Sequence, residues 1–284
     1  MKIIKEVKKL TLIIQKLKSA KKSIGFVPTM GALHLGHQSL IQAARQENDF
    51  VVVSIYVNPL QFGAGEDFKK YPRPQTLDLR FCRKLGVDLV FIPDNTQIYP
   101  KGYVTYIDSG RLSNLLCGIK RLGHFRGVAT IVIKLLNMIQ PQALYLGQKD
   151  AQQAIIISHL IKDLNFSVNL RVLPTVREAS GLALSSRNIY LSRQERDDAT
   201  VLFKALLLAR VLIKSGQRNS GLIIKRLREL ISQKQTARIE YIAIVDTETL
   251  LPLKRIRSRC LIALAVMIGK TRLIDNLLVP DVKK

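Results

Sequence analysis

The 284-residue chain has no tryptophan, and aromatic residues make up only 6% of it. A surface that binds RNA by stacking bases is poorly supplied by such a composition. Cysteine is scarce as well. Cys82, Cys117 and Cys260 are odd in number, far apart and without a C-x-x-C pair. That pattern speaks against a disulfide framework or a zinc cluster and fits a reducing compartment. No apolar run reaches the roughly 18 residues that a membrane span requires, and no internal repeat or low-complexity segment is present. Acidic residues are the remaining shortage, 21 against 45 Lys and Arg, for a net charge of +24. The excess is +7 over residues 1–100, +6 over 101–200 and +11 over 201–284. It is therefore a spread basic surface rather than a nucleic-acid arm. The cluster Lys254, Arg255, Arg257 and Arg259 keeps an RNA-binding protein as the alternative from another class. The expectation is a protein that partners neither nucleic acid nor membrane.

What is present is the balance of a globular protein, 47% apolar and 23% charged, in a chain long enough for two modest domains. The opening MKIIKEVKKLTLIIQKLKS has a superficial likeness to a signal peptide. Its apolar residues Ile3, Ile4, Val7, Leu10, Ile13, Ile14 and Leu17 recur at helical spacing with lysines between them, whereas a secretory segment would be uninterrupted. The spacing predicts an amphipathic first helix on a cytoplasmic protein.

Apolar runs predict strands at 23–27, 50–57, 87–92, 143–146 and 168–173. Helical patterns at 37–46, 75–85, 128–139 and 150–164 fall between them. This alternation implies βαβ units and a mainly parallel sheet, whose ligands bind in the loops after strand ends. The stretch 58–74, with three prolines and two glycines, reads as a long functional loop. Beyond about Val176 the pattern changes to helices at 193–214 and 220–233 and strands at 240–245, 261–268 and 271–277. The expected domains are thus 1–176, α/β, and 177–284, a smaller α+β unit.

Three segments sit where chemistry is expected. Pro28-Thr29-Met30-Gly31-Ala32-Leu33-His34-Leu35-Gly36-His37 joins a strand to a helix. Its glycines let backbone approach a ligand, and the helix N-terminus favours an anion. Two imidazoles at that point suit phosphate oxygens. The competing readings are a turn with a capping histidine and a zinc pair, the latter without the glutamate of H-E-x-x-H. Gly147-Gln148-Lys149-Asp150 also follows a strand and opens a helix, and Asp150 alone would read as a helix cap. Leu184-Ser185-Ser186-Arg187 offers hydroxyls and a guanidinium suited to polyphosphate, or else an ordinary polar interdomain loop. Gln61 and Gln153 taken singly read as surface residues, Met30 as core, His124 and Arg126 as helix-entry packing, and His159 as structural.

In register, PTMGALHLGH, YVNPLQF, EDFKKYPR, GHFRGVATIVIKLLN, YLGQKDAQQ and LALSSRNIYLS resemble the pantothenate synthetase family of the nucleotidylyltransferase superfamily, from about Ile24 to Ser192. The resemblance implies a Rossmann-like domain with a C-terminal lid. It also implies an enzyme that joins (R)-pantoate to β-alanine through a pantoyl adenylate, releasing pyrophosphate and AMP. ATP, with Mg2+ accompanying it, would meet Met30 through His37, Gly147 through Asp150, Val176, and Leu184 through Arg187. His34, His37, Lys149 and Arg187 would serve the reacting phosphate, and Gln61, Gln153 and Met30 would hold pantoate and β-alanine. No metal is held by the protein alone in this reading, and a homodimer is implied. The sequence departs from the family pattern at Leu122, Gln142, Ser180 and Leu184. A nucleotidylyltransferase with a phosphate acceptor is the rival enzyme, disfavoured because such an acceptor calls for Arg or Lys where Gln61 and Gln153 stand.

Overall fold

A computed structural model of the chain describes residues 1–281. The elements run β1 Lys2–Ile4, α1 Val7–Ser19, β2 Ile24–Thr29, α2 Leu35–Glu47, β3 Phe50–Ile55, α3 Gln75–Lys84, β4 Leu89–Phe91, α4 Asn95–Ile98, α5 Cys117–Lys120, α6 His124–Ile139, β5 Ala143–Gly147, α7 Ala151–Asp163, β6 Asn169–Leu173, α8 Arg193–Ala199, α9 Val201–Lys214, α10 Ser220–Ile231, β7 Ala237–Asp246, β8 Cys260–Ile268 and β9 Thr271–Val279. The chain divides into two compact units. One comprises residues 1–113, 121–147 and 156–174, the other 114–120, 148–155 and 175–284.

The first unit is a six-stranded sheet in the order β1-β4-β3-β2-β5-β6, parallel at every pairing. Strands buried on both faces read as continuous apolar runs, as in Val51, Val52 and Val53, all fully buried. On one face Leu40, Ile41 and Ala44 of α2 pack against Val27, Val51, Val53, Val90 and Tyr145. From β2 the chain winds outward through β3 to β4. From β5 it winds the other way to β6. The reversal between neighbouring β2 and β5 is the topological switch point, where ligands of such sheets bind.

The second unit has an antiparallel sheet β7-β8-β9. Apolar side chains of α8–α10, such as Ala199, Leu206 and Leu227, close a core with Ile244, Ile262 and Leu264 of its strands. No helix among the described residues is long and apolar enough to cross a membrane.

Four departures from the expected elements have physical causes. Ile3 and Ile4 are not helical; they form the short edge strand β1 beside β4, and the first helix begins at Val7. The helix expected from Val128 starts at His124, with Gly127 inside it. An alanine Cβ at Gly127 would lie 2.2 Å from the Leu60 carbonyl oxygen, so this glycine marks a backbone contact and not a helix boundary. The expected helix 193–214 is interrupted at Thr200, whose hydroxyl donates to the Asp197 carbonyl at 2.8 Å and competes with the helical ladder. The helix expected at 37 begins at Leu35, because His34 is its cap.

Candidate active site

The corner after β2 is organised around its own imidazoles. His34 is the N-cap of α2, and its Nδ1 accepts from the Gly36 N–H at 3.1 Å. The His37 Nδ1 accepts from the His34 N–H at 3.3 Å, completing a capping box in which histidines replace the usual Ser and Glu. The ring centroids are 4.2 Å apart. An Nδ1 that accepts is bare, so each ring carries its proton on Nε2. The capping reading and the phosphate reading are therefore compatible: one nitrogen of each ring serves the helix, and the other is an N–H donor.

The turn before the helix is held from α3. Asp78, 2% exposed, accepts from the Ala32 N–H at 2.9 Å and the Leu33 N–H at 2.8 Å. Gly31 and Ala32 both have left-handed backbone, φ 83° and 49°. A Cβ on Gly31 would meet the Asp78 carboxylate at 2.9 Å. Burial pushes the Asp78 carboxyl above its ordinary value, and the two backbone N–H groups only partly offset this. Gly147 ends β5, the strand paired beside β2.

Gln61 is buried, 9% exposed, which overturns the surface reading of that residue taken singly. It ends a 3-10 turn, Pro59–Gln61. Its Oε1 accepts from Asn58 Nδ2 at 3.3 Å, and its Nε2 lies 2.7 Å from half-buried Met30 Sδ. Asn58, 1% exposed, also donates to the Gly127 carbonyl and accepts from the Tyr99 hydroxyl. The amide of Gln61 is thereby oriented with its donor end toward Met30 and the corner.

The main chain of Gln61 is clamped separately. Arg121 donates to both Glu66 oxygens, at 2.7 and 2.6 Å. Its Nη1 lies 2.9 Å from His124 Nε2. A guanidinium only donates, so that Nε2 accepts, and His124 Nδ1–H donates to the Gln61 carbonyl at 2.6 Å. Burial raises the Glu66 carboxyl, but Arg121 outweighs it and the group sits below the ordinary range. Arg126 instead packs over the Tyr106 ring.

In the second unit, Gln148, Lys149 and Asp150 form a single 3-10 turn leading into α7. Lys149 Nζ lies 3.6 Å from Asp150 Oδ1, and Gln153 is half-buried in the next turn. Val176 and Leu184 meet, with the Leu184 N–H donating to the Val176 carbonyl at 3.0 Å. Between them the chain folds back on itself, and Arg177 bridges Ala183. Ser185 caps the following 3-10 turn, Ser186–Tyr190, by accepting from the Arg187 N–H. Asn188, 4% exposed, donates to Glu178 and to the Ala183 carbonyl. His159 lies half-buried on α7. Cys82, Cys117 and Cys260 are buried free thiols.

Asp78, Asn58 and Asn276 had no signal of their own in the sequence. Asp78 looks like a first-turn acidic residue of α3, and Asn58 like part of a proline-bounded turn. Asn276 sits in a strand without a motif.

A parallel sheet with a strand-to-helix histidine corner at its switch point defines a Rossmann-like α/β protein. The pantoate-beta-alanine ligase family matches residues 2–278. The pantothenate synthetase of Fervidobacterium nodosum is 48% identical over 279 residues, covering 98% of this chain and 99% of that protein. That of Heliobacterium modesticaldum is 50% identical with the same coverage. A crystal structure of the enzyme from Thermus thermophilus has a TM-score of 0.93 at 43% identity, covering 98% of this chain and 99% of that one. The pantoate-beta-alanine ligase of Francisella tularensis, solved in complex with beta-gamma ATP and beta-alanine, has a TM-score of 0.80 at 38% identity, covering 98% and 97%. The chain belongs to the pantoate–β-alanine ligase family. Membership makes it an enzyme, a ligase of pantothenate biosynthesis.

Proposed function

We propose that the protein condenses (R)-pantoate with β-alanine in two steps at the expense of ATP. The pantoate carboxylate attacks the α-phosphorus of ATP, forming pantoyl adenylate and pyrophosphate. The amine of β-alanine then attacks the acyl carbon and AMP leaves. The carboxylate is ionised at neutral pH, so the first step needs no base. It needs two anions held together and the growing charge on phosphorus met by preorganised donors. The observation that carries this reading is the His34–His37 capping box, which sets two imidazoles side by side, ring centroids 4.2 Å apart, at the carboxyl end of β2. Gln61 Nε2, oriented by Asn58, suits a pantoate oxygen, and Met30 suits the gem-dimethyl group. A phosphate acceptor would find an amide where it needs a cation.

The further assignments belong to the same proposal. Gly147, Gln148, Lys149 and Asp150 meet the nucleotide, Val176 meets adenine, and Leu184, Ser185, Ser186 and Arg187 meet the phosphates. Gln153 meets pantoate, and the segment from 177 onward acts as a lid that excludes water from the acyl adenylate. Magnesium comes with the triphosphate and neutralises part of its charge. No group of three His, Cys, Asp or Glu side chains among the described residues is arranged for a metal. A cytoplasmic homodimer completes the reading; the three free thiols suit a reducing compartment, and light scattering tests the stoichiometry. The deciding assay supplies Mg-ATP with each acid singly and together. Pyrophosphate should require pantoate alone and pantothenate both acids; AMP formed equally well without either acid would sink the proposal.

A further inference from the structure

The side chains that hold the second unit's nucleotide segments in place come from its last strand. Asn276 of β9 is 6% exposed. Its Nδ2 donates to two consecutive carbonyls, Gln148 and Lys149, each at 2.9 Å. Its Oδ1 accepts from Gln148 Nε2 at 3.0 Å. One amide thus fixes two successive peptide planes of the 3-10 turn, and with them the direction in which the Lys149 side chain leaves the backbone.

The preceding residue grips the other segment. Asp275, 2% exposed, takes both guanidinium arms of Arg177, at 2.6 and 2.9 Å. Arg177 also donates to the Gly181 carbonyl at 3.1 Å and stacks over Phe203 at 4.1 Å. Gly181, φ 89°, has room for no Cβ, which would come 2.4 Å from Phe203. The loop is therefore pressed flat on that ring and closed by Arg177. Its closure brings Leu184 onto Val176 and sets the start of the Ser185–Arg187 segment. Neighbouring strand residues face opposite sides of a sheet, so one dipeptide reaches two segments. The Asn276 N–H bonds Asp275 Oδ1 at 2.8 Å, tying the two grips together.

We infer that Asp275 and Asn276 are positioning residues for the nucleotide, holding the Lys149 turn and the loop that leads to Arg187 in register with each other. The inference rests on the nucleotide assignment made under the proposed function. Asp275→Asn leaves the Arg177 guanidinium without its counter-charge and puts folding itself at risk. The test is therefore carried by Asn276→Asp, which keeps the shape and the acceptor but aims a carboxylate at two carbonyls. Mg-ATP binding is measured by calorimetry on the full chain, and pantoate KM by pyrophosphate release at saturating ATP. The expected result is a rise in the ATP dissociation constant on the order of tenfold, with pantoate KM changed less than about twofold and the fold intact by circular dichroism. Unchanged ATP affinity in a folded Asn276→Asp protein overturns the inference. So does a loss confined to melting temperature and active fraction with both constants unaltered, the mark of a merely structural residue. If the wild type binds Mg-ATP but releases no pyrophosphate with pantoate, the acid assignment fails, while the ratio of ATP affinities still decides the role of Asn276.

Discussion

The β2–α2 corner and the segments of the second unit proposed to meet the nucleotide reach order by opposite routes. The corner holds itself. Its cap, its capping partner and its two left-handed residues lie within seven positions, Gly31 to His37, and Asp78 adds two acceptors from α3. The 148–150 turn depends on Asn276, 128 positions away, and the loop after Val176 depends on Asp275, 98 positions from Arg177. A motif that contains its own fastenings can be recognised from its residues alone. One fastened from a distant strand shows only the residues facing the ligand.

His37→Ala tests the corner most severely. Loss of one donor at the reacting phosphate is expected to cost about 3–4 kcal/mol, or 10²–10³ in pantoate-dependent pyrophosphate release. Loss of the cap bond should cost only about 1 kcal/mol of stability, so a melt and a rate measurement separate the two roles. Asp78→Asn comes next. It turns one acceptor into a donor facing an N–H, and a bond to a charged group is worth about 1.5–3 kcal/mol. The adenylation rate should fall by roughly ten- to hundredfold. The pH dependence has a definite sign. The Asp78 carboxyl is raised, so on acidification it takes up its proton at a higher pH than an ordinary aspartate. The rate should decline correspondingly early on the acid side, and that limb should vanish in Asp78→Asn. The same sign makes ionised Asp78 a net cost to folding above its raised pKa, which fits a residue that serves geometry more than stability.

Gln61→Leu removes one neutral donor from a buried site. Pantoate KM should rise by about tenfold, with ATP affinity unaffected in the same calorimetric measurement. The smallest effect is expected in the second unit. Ser180 Oγ accepts from the Leu182 N–H at 3.4 Å, a turn bond that an aspartate side chain also makes. Ser180→Asp, which keeps that turn bond, should change kcat by less than about threefold. A larger gain would mean that the loop is limited at its exposed tip and not by its anchors.

The sheet was legible because continuous valine and isoleucine runs alternate with helical spacing, and that pattern has few solutions. The histidine corner was legible because glycine and imidazole at a strand end combine backbone freedom with hydrogen-bonding chemistry. Local pattern misled where a long-range contact decided the outcome. Ile3 and Ile4 fit a helical stripe until β4 offers an edge, and Gly127 imitates a stop until the Leu60 carbonyl is seen against it. Gln61 alone looked solvated because nothing in the sequence ties its amide to Asn58, which is itself held by Tyr99, 38 residues beyond Gln61 in the chain.

The short strand at the start of the chain has a practical consequence. β1 shields one side of β4, which would otherwise present bare amides and carbonyls to any passing chain. A protease that nibbles away the first five residues would spare every group discussed for catalysis and yet leave a sticky flank. Preparations trimmed there should cloud on storage long before they lose turnover, and a purification handle is better placed elsewhere.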